Sequence, residues 1–399
     1  MSAIHVLAYL LVPAIALSLA WGIRGQTGHE WGAAFCGAVV GLALALVSKD
    51  RNKVKKAFTL AAVGAFAFAW GGMMSYGKVA GLATNAQATN GEIALSLAQL
   101  FLLGAIWGGL GGGAIGVVCS RRNYGAAIPV LILLACWLGG RIIYELFINR
   151  LHFDIGHRHQ DWAFVFGAWI ALLLVCCRDR TVLTMSLLSG AGIGLGFVIG
   201  PMLTRISGYP FSGRLPLSLD WWKVAEQTIG FWGGLGLGLA LWLLERRGHQ
   251  AYLPERVHPL RPFLAQAFAL WFIPAWNANN VFEYLSKEQK LIPTGAWTLF
   301  LAGAGAVLLA ATAIWLCRLC AGACCGWRLD ETAAAAIGFL WLVWAGVFIA
   351  GLKTEWPFTG DEFIITRIHS TQLVFTLMAV LLTGYLVLRA PDSEARQTG

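Results

Sequence analysis

Long apolar stretches separated by short polar segments recur along the whole chain. A helix needs about 20 consecutive apolar residues to cross a bilayer, and stretches of roughly this length occur about twelve times with few or no charges. The pattern therefore predicts an all-α, polytopic integral membrane protein with about 12 transmembrane helices. The predicted spans are residues 4–23, 31–48, 57–76, 94–119, 125–146, 161–177, 181–204, 224–244, 263–284, 296–317, 332–352 and 371–388.

The composition agrees with this prediction and excludes other classes of protein. Hydrophobic residues occupy 58% of the 399 positions, and charged residues occupy only 12%. Soluble globular domains carry about 25% charged residues, so a water-soluble enzyme is excluded, as is a disordered chain. Twelve spans would use about 240 residues, which leaves little room for a separate soluble domain.

The basic residues predict the orientation in the membrane. An even number of spans places both termini on one side, and Lys and Arg cluster at the helix ends that would face that side. Such clusters mark the cytoplasmic side, so we expect a multi-pass protein of a bacterial-type inner membrane with both termini in the cytoplasm. The net charge of +9 then reflects orientation and anionic headgroups, and no nucleic-acid partner is expected. The basic residues predicted to lie inside are Lys49, Arg51, Lys53, Lys55, Lys56, Arg121, Arg122, Arg178, Arg180, Arg246, Arg247, Arg256, Arg261, Arg318, Arg328, Arg389 and Arg396.

The sequence also contains an internal repeat. Residues 107–122 read WGGLGGGAIGVVCSRR and residues 232–247 read WGGLGLGLALWLLERR, so one Trp, four Gly, one Leu and two Arg coincide. The two stretches lie about four spans apart, and an even number of spans between copies gives a parallel repeat. We therefore predict four-helix units at residues 1–124 and 125–250, and a third, diverged unit at residues 251–399.

Glycine and cysteine are expected to serve packing. Many of the 48 glycines form stripes on predicted helices, where small residues let helix backbones approach closely in lipid. None of the 9 cysteines falls in a predicted outer loop, so no disulfide framework is expected. The roles of Cys317, Cys320, Cys324 and Cys325 stay open, and no cofactor is expected.

The first polar cluster joins the first two predicted spans, where four candidate substrate-binding residues follow one another closely: Arg24, Gln26, His29 and Glu30. Several glycines with so short a connection suggest broken helix ends or a re-entrant turn. The planar fork of Arg24 suits a carboxylate or a phosphate, and Glu30 and His29 are candidates to carry a proton. The alternative is a structural ion pair between Arg24 and Glu30 that caps the helical hairpin.

The second polar cluster closes the fifth predicted span and leads into the sixth. Arg141 and Glu145 are four residues apart and share a helix face, so both are candidates to bind substrate. His157 and Asp161 are candidates for proton or ion coupling. His157 and His159 are only weak candidates for a metal site, because residues two apart share a face only on a strand and no third ligand follows at a fixed spacing.

The third polar cluster lies late in the ninth predicted span. Its candidate substrate-binding residues are Trp276, Asn277, Asn279, Asn280 and Glu283. Amides and a carboxylate at this depth cannot all face lipid, so we expect them to bind a hydroxyl-rich ligand or to join helices by hydrogen bonds.

Glu226, at the start of the eighth predicted span, is a further candidate for ion coupling.

Three functions agree with these features. The first is a secondary transporter for a small polar or anionic solute, such as a sugar acid or a related carboxylate, coupled to H⁺ or Na⁺. The second is an integral membrane enzyme whose outward-facing active site modifies a glycan or a lipid-linked substrate. The third is a passive channel. The expected partners are a small-molecule substrate and the bilayer, and the oligomeric state is left open.

Overall fold

The computed structural model describes residues 3–124, 127–153, 155, 159–207, 220–253, 260–284, 286, 331–355 and 362–389. All regular structure in these residues is helical. The helices are α1 (Ala3–Thr27), α2 (Glu30–Val47), α3 (Arg51–Lys55), α4 (Ala57–Gly72), α5 (Gly77–Thr84), α6 (Asn90–Cys119), α7 (Ala127–Tyr144), α8 (His159–Val175), α9 (Arg180–Ser207), α10 (Trp221–Arg246), α11 (Leu260–Gln266), α12 (Ile273–Glu283), α13 (Glu331–Glu355) and α14 (Glu362–Arg389). A π-helical turn, Glu145–Arg150, extends α7, and a second, Ala267–Phe272, joins α11 to α12.

The helices identify a membrane-embedded α-helical protein. Within the described residues, 8 helices are long and apolar enough to cross a membrane, or 9 if α4 and α5 form one bent span. This number is below the predicted twelve for identifiable reasons. The predicted span 161–177 is the shorter helix α8, the span 263–284 is divided by a π-helical turn, and the span 296–317 lies outside the described residues. The full count of twelve therefore stays a prediction.

The third predicted span, 57–76, is broken. Helix α4 ends at Gly72, and after residues 73–76 the chain enters α5 at an angle of 63°. Two consecutive glycines at the end of α4 have low helix propensity, which favours a break at this point. Tyr76 lies in the break, so the bend brings a phenol into the end of the helical bundle.

Glycines on α10 allow it to lie directly against α1. Gly230, Gly234 and Gly238 are spaced four residues apart and therefore share one helix face. A Cβ atom at Gly234 would lie 2.1 Å from the carbonyl oxygen of Pro13, and one at Gly238 would lie 2.0 Å from that of Tyr9. Only glycine permits this backbone contact, so the glycines fix the α1–α10 pair.

Close glycine contacts of the same kind join α6, α9 and α10. Gly108 and Gly112 of α6 face the backbone of α9, where a Cβ atom at Gly108 would lie 2.4 Å from the carbonyl oxygen of Ser189. Gly192 of α9 meets the backbone of α10 in the same way, 2.4 Å from the carbonyl oxygen of Trp232. Packing as the role of these glycine stripes is thus confirmed.

Helix α1 is continuous at its polar end. It runs through Arg24 and Gln26 to Thr27, and the backbone N–H of Gly28 still bonds the carbonyl of Arg24 at 3.1 Å. Gly28 has a φ of +111°, a left-handed conformation that glycine adopts without a steric penalty. The expectation of broken helix ends or a re-entrant turn is therefore wrong: a single glycine reverses the chain, and α2 begins two residues later.

The end of the helical bundle opposite Arg24 carries a set of buried charges. Glu245 of α10 accepts hydrogen bonds from the hydroxyls of Tyr9 and Ser48, both at 2.5 Å, and lies 3.1 Å from the ammonium of Lys53. Lys53 also pairs with Asp50 at 2.8 Å. Burial works against the charge on Lys53, but the neighbouring Cys119, Glu245 and Asp50 together outweigh it and raise the pKa of Lys53. These bonds tie α1, α3 and α10 together.

Candidate functional site

Arg24 is buried at the end of α1 among aromatic rings. It is only 2% exposed, and its guanidinium carbon lies 4.8 Å from the ring centre of Trp107, 5.4 Å from that of Tyr76 and 5.5 Å from that of Trp21. The π-electron faces of aromatic rings attract cations, most strongly where water is excluded. The rings therefore stabilise the charge of Arg24 and hold its guanidinium group in place.

The hydrogen bonds of Arg24 leave part of the guanidinium group without a partner. Nη1 donates to the hydroxyl of Tyr76 at 3.3 Å, and Nη2 lies 3.2 Å from Nδ1 of His29. Nε makes no hydrogen bond, and no carboxylate of the described residues lies within 4.0 Å of the group. The expected alternative, an ion pair between Arg24 and Glu30, does not form. Nε and the adjacent Nη2 thus offer one edge to an anion.

A buried ion pair lies beside Arg24. The ammonium of Lys223 and the carboxylate of Glu226, one turn apart on α10, are separated by 2.5 Å, and these residues are 7% and 3% exposed. The indole N–H of Trp222 donates to Glu226 at 3.2 Å. The Trp222 ring also stacks on Tyr76, with ring centres 6.3 Å apart and an angle of 14° between planes. Tyr76 and Trp222 thus connect the guanidinium group to the ion pair.

Two glycines of the first polar cluster make room for these side chains. A Cβ atom at Gly25 would lie 2.3 Å from the ammonium of Lys223 and 2.3 Å from a carboxylate oxygen of Glu226. A Cβ atom at Gly32 would lie 2.8 Å from Cγ of Arg24. The glycine-rich sequence around Arg24 therefore allows charged side chains of α1 and α10 to pack against backbone.

Helix α12 brings the third polar cluster to the same end of the helical bundle as Arg24. The amide of Asn280 donates to the carbonyl of Thr27 at 2.8 Å, and that of Asn277 donates to the carbonyl of Trp31 at 3.1 Å. Asn277 is 2% exposed, and its side-chain oxygen has no hydrogen-bond partner. Trp276 is 39% exposed and packs on Trp31 with ring centres 4.9 Å apart. The interhelical bonds that the sequence left open as an alternative role are therefore present.

The remaining residues of the first and third clusters lie around this site. His29 is exposed at the turn, and Gln26 and Glu30 are half-buried beside it. Asn279 and Glu283 are also half-buried, on α12.

The second polar cluster lies apart from Arg24. Arg141 is exposed on α7 and contacts the ring of Tyr144, with its guanidinium carbon 5.8 Å from the ring centre. Glu145 begins the π-helical turn, where it pairs with Arg150 at 3.8 Å and accepts a bond from Asn149 at 2.6 Å. Arg141 and Glu145 therefore share a helix end but make no ion pair with each other.

The metal and coupling candidates of this cluster are only partly described. His157 lies outside the described residues, and the side chain of His159, which begins α8, is also outside them. Asp161 is half-buried in the first turn of α8. Within the described residues, no three His, Cys, Asp or Glu side chains come together in a way that could hold a metal ion.

Sequence reasoning missed Tyr76 and Lys223. Tyr76 belongs to the break after the Gly71–Gly72 pair, and glycine pairs that interrupt an apolar stretch are a recognisable signal for such a break. Lys223 precedes Glu226 by three residues, which places both on one helix face, and that spacing was available in the sequence.

The comparisons add no relative to this picture. The chain has no significant match among protein-family models, curated proteins or solved structures.

Proposed function

We propose that this protein is a secondary transporter of a bacterial-type inner membrane, with both termini in the cytoplasm, and that it carries a small organic anion. The ligand class is a carboxylate, with a sugar acid as the specific candidate. Arg24 binds its carboxylate, and coupling uses H⁺ or Na⁺.

The observation that carries this proposal is the buried guanidinium of Arg24. A buried charge is costly unless it is paired, and the described residues supply no carboxylate within 4.0 Å of Arg24. A guanidinium edge matches the two oxygens of a carboxylate in a bidentate arrangement. A ligand carboxylate on Nε and Nη2 would use the unpartnered Nε and neutralise the charge.

The neighbouring groups support a ligand that also carries hydroxyls. The unpartnered side-chain oxygen of Asn277 is an acceptor at the same end of the bundle, and the rings of Trp31 and Trp276 lie beside it. Aromatic faces and amides are suitable contacts for the hydroxyls and C–H groups of a sugar chain. These features favour a hydroxylated acid over a simple fatty acid.

Coupling and internal symmetry complete the proposal. Glu226 is the buried carboxylate at the site and is our candidate for ion coupling, with Glu30 as a second candidate nearer the turn.

The predicted four-helix units draw support from Asp50 and Asp179. Each follows a predicted span at the corresponding position of the first two units, and each caps the helix that follows it. A parallel repeat of this kind is a common basis of transporter architecture.

Counterflow in proteoliposomes tests the proposal. Purified protein is reconstituted, vesicles are loaded with unlabelled gluconate, and uptake of labelled gluconate is measured with and without imposed H⁺ or Na⁺ gradients. We expect uptake by the wild-type protein and its loss in Arg24→Lys, because lysine retains the charge but loses the bidentate edge. Arg246→Lys is the matched control, since Arg246 is exposed at the far end of α10.

The counterflow result also separates the transporter from the alternative membrane enzyme. The enzyme draws its support from the exposed His29 beside Arg24, an arrangement that suits acid–base chemistry at a membrane surface. Equal uptake by vesicles with and without protein, together with turnover of a lipid-linked or glycan substrate by the same preparation, would favour the enzyme and reject transport.

A further inference from the structure

We infer that Lys223 and Glu226 form a second half of the Arg24 site, and that this half makes the binding of a dianionic ligand require a proton. This inference rests on the proposed function, because it concerns the same ligand. It adds a rule: acids with one carboxylate bind without a proton, so that their transport is coupled to Na⁺, and acids with two carboxylates bind with one proton.

The contacts join the two halves into one site. Gly25 follows Arg24 directly, and its backbone lies against both members of the Lys223–Glu226 pair. The Tyr76 ring, whose hydroxyl accepts a bond from Arg24, stacks on Trp222, which donates to Glu226. An anion on Arg24 is therefore within the same buried cluster as Lys223.

The charges in this cluster give the rule. Arg24 and Lys223 carry two positive charges and Glu226 carries one negative charge, so the empty site has one net positive charge. A monocarboxylate neutralises that charge. A dicarboxylate leaves one excess negative charge in a buried site, which is costly unless a proton enters with the ligand. Glu226 accepts that proton, and the ammonium of Lys223 is released from the ion pair to bind the second carboxylate.

The surroundings of Glu226 are consistent with this exchange. Lys223 faces it on its own helix, and Tyr76 at the α4–α5 break and Cys36 on α2 lie within the electrostatic range of both Glu226 and Arg24. Helix α9 meets this turn of α10 through Gly200, which carries no charge. His29 touches Arg24 on the exposed side and is the other group able to take up a proton, so the experiment must distinguish it from Glu226.

The test compares gluconate with glucarate, two acids that share a hydroxylated six-carbon chain and carry one and two carboxylates. Binding to the purified protein is measured by calorimetry in buffers of different ionisation enthalpy, which gives the number of protons taken up. We expect no proton with gluconate and about one with glucarate. The affinity for glucarate should also fall about tenfold per pH unit above neutrality, and the affinity for gluconate should not.

Glu226→Gln assigns the proton. Glutamine removes the acceptor and leaves Lys223 unpaired, so this variant should bind glucarate without proton uptake and with an affinity that no longer depends on pH. Its preference for glucarate over gluconate should rise at least tenfold. Glu92→Gln, the same change at an exposed glutamate of α6, is the matched control and should behave like the wild type. If Glu226→Gln fails to fold, the comparison of the two acids on the wild-type protein still decides the rule.

The outcomes separate this inference from the proposed function. Binding of gluconate with equal proton uptake for both acids overturns the inference and leaves the function standing. Proton uptake that persists in Glu226→Gln also overturns it and points to His29. If the wild-type protein binds neither acid, the inference and the proposed function fall together.

Discussion

At the scale of single residues, the position of the Arg24 guanidinium depends on Tyr76. The Tyr76 hydroxyl accepts a hydrogen bond from Nη1, and the ring contributes to the aromatic surroundings of the charge. Tyr76→Phe keeps the ring and removes the acceptor. A hydrogen bond to a charged group contributes roughly 1.5–3 kcal/mol, so gluconate should bind about ten to a hundred times more weakly to this variant. Unchanged affinity by calorimetry would mean that the rings alone position Arg24.

A second prediction at this scale concerns His249, which follows α10. Burial, and then the positive charge of Arg121, lower the pKa of His249, and its Nδ1 has no hydrogen-bond partner. The unfolded chain therefore binds a proton more readily than the folded protein, and stability is lost as the pH falls below about 6.5. Between pH 7.5 and 5.5, the melting temperature should fall less in His249→Asn than in the wild type. Equal falls would exclude His249 as a source of acid sensitivity.

How much of the site the sequence predicts depends on the kind of residue. Arg24 and Glu226 were found because a charged side chain in or near an apolar stretch stands out. Their relation was not predictable, because α1 and α10 lie about 200 residues apart and are brought together by glycine packing between the two helices. Arg141 has the same residue type and a similar sequence setting as Arg24, yet it is exposed on α7. Residue type alone therefore does not distinguish a site from a surface.

At the scale of elements, the close pair α1–α10 depends on glycine. A Cβ atom at Gly234 would lie 2.1 Å from a backbone oxygen of Pro13, and backbone cannot move aside as a side chain can. Gly234→Ala should therefore separate the helices and destabilise the protein by about 1–3 kcal/mol, measured as a lower melting temperature in detergent.

Gly384→Ala is the control for this change. Nothing lies within 4 Å of a Cβ atom at Gly384 on α14, so alanine there should leave stability unchanged or raise it by about 1 kcal/mol through helix propensity. Equal effects of the two substitutions would show that glycine content, and not close packing, determines stability.

The sequence predicted most helices well and the breaks poorly. Hydropathy identifies α1, α2, α6, α9 and α10, because long apolar runs have no alternative structure in lipid. The break between α4 and α5, at residues 73–76, is too apolar to interrupt the hydropathy pattern and too short to be recognised as a loop, so the predicted span 57–76 runs through it. The π-helical turn Ala267–Phe272 is invisible to hydropathy, since its residues are apolar like those of a regular helix.

At the scale of the whole molecule, buried charges lie at both ends of the same helices. Glu226 and Glu245 are about 19 residues apart on α10, which corresponds to about 29 Å along a helix, close to the thickness of a bilayer core. On α1, Arg24 lies toward one end, and Tyr9, whose hydroxyl donates to Glu245, lies toward the other. The Arg24 site and the Lys53 network therefore lie at opposite ends of the helical bundle, with apolar and glycine packing between them.

This arrangement leads to a prediction about orientation. Cys177 is an exposed thiol that follows α8 next to Arg178, among the basic residues proposed to face the cytoplasm. In a variant that retains only this cysteine, a membrane-impermeant maleimide should label inverted vesicles and leave intact cells unlabelled. Labelling of intact cells would reverse the proposed topology and place the Arg24 site on the cytoplasmic side.

The most direct test of the account is calorimetric titration of the wild-type protein and Arg24→Lys with gluconate at neutral pH. We expect the wild type to bind gluconate and Arg24→Lys to bind at least a hundredfold more weakly, with equal melting temperatures for the two unliganded proteins. Equal affinity in the two proteins would contradict the account and return Arg24 to a purely structural role.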